Sequence, residues 1–218
     1  MLTRLVDRYL RHKFAWLFLA LMVTIGVQPV IEALRPGLGL LEVLLALSLL
    51  AAVASAAGRR GFRLLIWVGL LWVVIRALRA SVGGETMLVA SEALWVTVCM
   101  LAMVATARWA LRPGAVDGER VFAALDAYLM AGLLFGVCFW TVEQIWPASF
   151  AAPDTADLDP QAAIYFSFIT LATLGYGDIV PVGSAARGMA VLEAVAGQLY
   201  LVVLVSRLVS LYSTREGA

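Results

Sequence analysis

Apolar residues occupy long blocks of this chain, and polar residues are gathered into short breaks between them. A helix that crosses a bilayer needs roughly 20 mostly apolar residues. Residues 14–34, 38–57, 62–80, 86–107, 121–146 and 187–212 meet that requirement. A further apolar block, 161–172, is too short to cross and is predicted to be re-entrant. The breaks carry helix-ending chemistry: Arg35-Pro36-Gly37, Gly58-Arg59-Arg60-Gly61, Gly83-Gly84 and Arg112-Pro113-Gly114. The pattern predicts an all-α integral membrane protein of six spanning helices. It divides into an N-terminal segment 1–13, a four-helix region 14–112, a two-helix region 113–212 and a tail 213–218. In the two-helix region an outer helix 121–146 and an inner helix 187–212 flank a polar loop 147–160 and the short helix.

Composition agrees with the pattern. Hydrophobic residues make up 63% of the chain and charged residues 14%, against about 45–50% and about 25% in a soluble domain. Basic residues set the orientation, because cytoplasmic loops retain Lys and Arg. With the N-terminus inside, Arg4, Arg8, Arg11, Lys13, Arg59, Arg60, Arg63, Arg108, Arg112, Arg120, Arg207 and Arg215 are cytoplasmic. Only Arg35, Arg76, Arg79 and Arg187 fall on the other side, so both termini are expected in the cytoplasm. The apolar run after the basic N-terminus has no small-residue cleavage site and is predicted to be a retained first helix. Cys99 and Cys138 both sit inside apolar runs, where neither a disulfide framework nor a metal site is expected. The outer loop carries Glu143, Asp154, Asp157 and Asp159, which predicts an acidic vestibule that would concentrate cations.

The short block opens on Asp159-Pro160, a favoured N-cap followed by a residue tolerated at the first helical position. A helix starting there would stop partway through the bilayer. The backbone after it is non-helical, which is tolerated at membrane depth only where it lines a protein-buried or watery cavity. That backbone reads Thr173-Leu174-Gly175-Tyr176-Gly177-Asp178. With this loop between a half-length helix and a last full span, the chain resembles the potassium-channel pore family over roughly residues 121–212.

The resemblance implies a filter in which the carbonyls of Thr173, Leu174, Gly175 and Tyr176, with the Thr173 hydroxyl, replace the hydration shell of K+. Gly175 and Gly177 would supply left-handed backbone angles. Tyr176 would point away from the axis and brace the loop against the pore helix, and Leu174 stands where the family usually has Val. Asp178 would accept a hydrogen bond from an aromatic residue of the pore helix, here Tyr165. Four copies are implied, since the filter needs four loops and this chain has one. Gly197 falls where the family commonly has a glycine that lets the inner helix bend, and helix packing is the alternative reading. Gln198, Leu201, Val205 and Val209 are expected to line the cavity or approach the gate. Glu193, one turn before Gly197, is either a regulatory acid or a structural partner of Ser167 or Thr170, because acids at membrane depth are expensive. Asp126 is expected to pair with Arg120 or Arg207.

Six spans invite comparison with voltage-gated channels, whose fourth helix carries several basic residues, each worth about 2.3 kcal/mol per 100 mV. The fourth span here holds Glu92 and no Lys or Arg, so strong voltage gating is not expected. No attached regulatory domain is expected within these 218 residues, and the stimulus could be lipid, tension, the filter itself or a separate partner. His12 could sense pH but is expected to be solvated. The function expected is passive K+ conduction, with a weakly selective channel and a non-conducting regulatory subunit as alternatives. No enzyme constellation, cofactor or nucleic-acid partner is expected. The expected setting is a bacterial inner membrane, with lipid and other copies of the chain as partners.

Overall fold

The computed structural model describes residues 12–34, 67, 85–112, 117–152 and 158–216. Apart from Trp67, the expected spans 38–57 and 62–80 lie outside the described residues, with the arginines between 35 and 79 and the acids Asp154 and Asp157. The elements are α1 (Lys13–Leu34), α2 (Glu85–Ala110), α3 (Gly118–Ile145), β1 (Phe150–Ala151), α4 (Pro160–Leu171), β2 (Val180–Pro181) and α5 (Ser184–Glu216). α1 and α2 occupy the first and fourth expected spans. α3 and the stretch Ser184–Ser206 are each long and apolar enough to cross a membrane. The chain folds into two compact units, one of residues 1–74 and 97–129, the other of 75–96 and 130–218.

In the first unit, Phe14, Leu17 and Leu21 lie on one stripe of α1 and are almost fully buried. Phe14 packs on Trp109 with ring centroids 4.2 Å apart, and Phe18 on Phe122 at 5.6 Å. The opposite stripe, including Trp16, Leu19, Val23 and Val30, is exposed and equally apolar, as expected of a helix whose outer face meets lipid. The Glu119 carboxylate accepts the backbone N–H of Phe14 at 3.0 Å, which satisfies one of the orphan donors at the start of α1. His12 is exposed, with Nδ1 3.8 Å from the Glu119 carboxylate. Asp126 is fully buried, and neither of its oxygens has a hydrogen-bond partner among the described residues. The expected pairing with Arg120 is therefore not formed; that guanidinium donates to the Arg112 carbonyl at 2.8 Å. The Arg207 side chain is outside the described residues.

The second unit is built on close approach. Its aromatic centre is Phe139, Phe150 and Phe166, meeting edge to face with centroids 5.6, 4.9 and 5.3 Å apart. Between helices in lipid the hydrophobic effect contributes little, so stability rests on tight packing and small residues. Gly132 and Gly136 of α3 provide it, in a G-x-x-x-G spacing that carries no weight in the sequence reading above. A Cβ on Gly132 would lie 2.6 Å from the Phe168 ring, and one on Gly136 would lie 2.8 Å from the Ile164 Cα.

The C-terminal end of α3 and the N-terminal end of α5 are stitched together. β1 and β2 pair antiparallel, Phe150 opposite Pro181 and Ala151 opposite Val180. The N–H groups of Val182 and Gly183 donate to the Ser149 carbonyl at 2.9 and 3.0 Å. Glu143 closes the turn between helix and seam. It is 3% exposed, and its carboxylate accepts the N–H groups of Ala148, Ser149 and Phe150 at 2.9, 3.0 and 3.2 Å. This corrects the vestibule reading for Glu143, which is turned inward to the three amide donors just past the end of α3. Glu143→Ala is expected to destabilise the protein by about 3 kcal/mol, since bonds to a charged acceptor are each worth about 1.5–3 kcal/mol and do not add fully. Thermal unfolding in detergent measures it, with Glu143→Gln falling between the alanine variant and wild type.

Candidate pore loop

α4 begins where its sequence says it should. Asp159 Oδ1 accepts the Ala162 N–H at 2.7 Å, and Pro160 occupies the first turn. At 12 residues the helix is about 18 Å long, well short of a hydrocarbon core of about 30 Å. At its C-terminus the Ala172 N–H donates to the Phe168 carbonyl and the Thr173 N–H to the Thr170 carbonyl, at 2.9 and 3.0 Å. Leu174 and Gly175 then turn both their N–H groups back onto the Ile169 carbonyl, at 2.8 and 3.3 Å.

The loop beyond is set by its backbone signs. Thr173, Gly175 and Gly177 have φ of 58°, 53° and 79°, and the residues between them are not left-handed. Alternating handedness turns successive carbonyls toward one side, as in an anion nest with donors and acceptors exchanged. Two of these positions are glycines, where the conformation is free of steric penalty. Thr173 is the third, and its left-handed angle was not foreseen. No carbonyl from Thr173 to Gly177 accepts a backbone hydrogen bond from any described residue outside the helices and strands. The loop therefore presents a row of bare acceptors at the end of a half-length helix, where the helix dipole adds negative potential.

Tyr165 and Asp178 fasten the outer end of the loop. The Tyr165 hydroxyl donates to Asp178 Oδ2 at 2.7 Å, and this bond raises the phenol above its usual pKa. In the protomer Tyr176 is 68% exposed, and Leu174 is also exposed.

On α5 the expected face is divided. Gly197 is buried against α4, where an added Cβ would lie 2.6 Å from Leu171 Cδ1 and 3.4 Å from its carbonyl oxygen. That geometry shows a packing role for this glycine, whether or not the helix also bends there. Gln198 and Val205 are exposed, Leu201 is partly buried, and the side chain of Val209 is outside the described residues. Glu193, one turn before Gly197, is fully buried and bonded to Ser167, whose hydroxyl also reaches the Gly132 carbonyl at 2.6 Å. No group of three or more metal-binding side chains occurs among the described residues.

Residues 123–214 match the ion channel family. A curated relative, the inward rectifier potassium channel Kirbac3.1 of Paramagnetospirillum magnetotacticum, is 35% identical over 83 residues, covering 36% of this chain and 25% of that protein. The chain thus matches a quarter of that relative's length. No solved structure matches the chain. These findings show that residues 123–214 are similar to the ion channel family and that part of them is similar to a segment of a potassium channel.

Proposed function

From the premise of an ion-channel pore segment at residues 123–214, we propose that this chain is one subunit of a homotetrameric, potassium-selective channel that conducts passively. The observation that carries the reading is the row of unpaired carbonyls from Thr173 to Tyr176 on backbone of alternating handedness. Such oxygens replace the hydration shell of a cation when several loops ring one axis. One chain supplies one loop, so the ring needs other copies. The exposed Leu174 and Tyr176 give those copies something to cover. K+ is bound by the carbonyls of Thr173, Leu174, Gly175 and Tyr176 and by the Thr173 hydroxyl, with Gly177, Asp178 and Tyr165 supporting the loop. Gln198, Leu201, Val205 and Val209 line the inner cavity, and lipid covers the outer faces. Both termini lie on the cytoplasmic side of a bacterial inner membrane. The helix at the fourth span carries no basic residue before Arg108, so the channel is not strongly voltage-gated.

Flux through the purified full chain in liposomes tests the reading. A potassium gradient is expected to drive flux that an equal sodium gradient does not. Equal flux of the two ions would replace selectivity with general cation conduction, and absence of flux for either would overturn conduction.

A further inference from the structure

Ser167 is asked for more protons than it has. Its Oγ lies 2.6 Å from the Gly132 carbonyl oxygen and is also hydrogen-bonded to Glu193 Oε1. A hydroxyl carries one proton, a carbonyl accepts only, and an ionised carboxylate accepts only. One proton shared between two such short contacts would leave each weak, and two protons satisfy both fully. If Ser167 donates to Gly132, the second proton comes from Glu193. With an ionised Glu193, one of the two contacts would set lone pair against lone pair. The surroundings agree. Glu193 is fully buried at membrane depth, and its Oε2 has no hydrogen-bond partner among the described residues. A bare carboxylate oxygen is expensive there, and the carbonyl oxygen of a neutral acid is much less so.

The link joins three helices near the filter. Ser167 is on α4, Gly132 on α3 and Glu193 on α5. Two residues after Ser167, the Ile169 carbonyl receives the N–H groups of Leu174 and Gly175, and one turn after Glu193, Gly197 packs on Leu171. What holds α4 therefore holds the backbone from which the filter hangs. We propose that Glu193 is a positioning residue that acts in its protonated form. With Ser167 it ties the inner helix to the pore and outer helices, and loss of its proton loosens the filter and lowers flux. The flux half of this inference rests on the conduction reading; the protonation half does not.

Among the described residues few ionisable groups face this carboxyl. On α3 the thiol of Cys138 lies nearby. On α4 the neighbours are Ser167 and other non-ionising residues, Tyr165 being engaged with Asp178. On α5 no other ionisable residue lies between Arg187 and Tyr200.

Two measurements on the full chain in lipid separate the halves. Infrared difference spectroscopy of wild type against Glu193→Gln is expected to show a protonated carboxylic-acid carbonyl band at neutral pH that the variant lacks. Ser167→Ala is expected to keep the band but shift it, because the acid loses its partner. Potassium flux is expected to fall in wild type as pH rises through the range where the band disappears. Glu193→Gln, which holds its hydrogen-bonding donor at every pH, keeps flux and loses the alkaline decline. A wild-type spectrum without the band would overturn the proposal, even for a protein that conducts nothing. So would an unchanged alkaline decline in Glu193→Gln, or wild-type flux that stays level while the band vanishes.

Discussion

Gly175→Asp is expected to abolish cation flux while leaving the protein folded and its oligomer intact. Space is not the reason, because nothing lies within 4 Å of where a Cβ would sit on Gly175. Backbone conformation contributes something: φ is +53° there, and a left-handed residue bearing a Cβ costs about 1–2 kcal/mol. Asp is among the residues that tolerate this region best, so the conformational term is the smaller one. Charge is the larger. In the proposed tetramer the substitution brings four carboxylates around one axis, and like charges about 4 Å apart at an effective dielectric of 20 repel by about 4 kcal/mol per pair. The loop escapes by abandoning the alternation that lines up its carbonyls. Gly175→Ala isolates the conformational part and should only reduce flux. Liposome flux alongside native gel migration gives the answer, and wild-type flux through Gly175→Asp would remove the filter from this segment.

Gly136→Ala is expected to be the most damaging single-methyl change in the outer helix. The added carbon would lie 2.8 Å from the Cα of Ile164, and a backbone atom has no rotamer to escape into. α3 and α4 would have to separate, and overpacking of this kind costs about 1–3 kcal/mol in every subunit. Separation also moves Ser167 away from the Gly132 carbonyl, so the change acts on the support of the filter as well as on stability. Gly132→Ala meets the edge of the Phe168 ring instead, and a side chain can swing aside, so its effect should be smaller. Gly188→Ala, where nothing lies within 4 Å, should be neutral. Thermal unfolding in detergent ranks the three, and any other order would mean that the contact between α3 and α4 is not the tight one.

Much of the pore loop was legible because it depends on local chemistry. Asp159-Pro160 specifies a helix start through one capping bond and one fixed φ, and α4 begins there. Gly175 and Gly177 announce left-handed backbone, and both adopt it. The contact between Glu193 and Ser167 was one of two alternatives that sequence spacing left open. What could not be read depends on tertiary placement. Glu143 looks like any loop acid until the chain folds three N–H groups around it. Gly132 and Gly136 did carry a signal in their spacing, but spacing alone does not say which helix the small face will meet. Gly197, the first residue of the expected inner-helix face, is claimed by Leu171.

The seam between Phe150–Ala151 and Val180–Pro181 has a mechanical consequence. It fixes the outer end of α5, whose 33 residues extend about 50 Å. A rod held most firmly at one end is a lever with its fulcrum at the seam, and the Glu193–Ser167 and Gly197–Leu171 contacts further steady its first half. A tilt of about 5° about that point shifts the level of Gly197 by only ~2 Å but carries the last turn through ~4 Å, taking 1.5 Å of rise per residue. Motion is thereby amplified toward the C-terminal end of α5 and damped beside the loop, so the far end of the helix can swing a long way while the loop it serves stays nearly still.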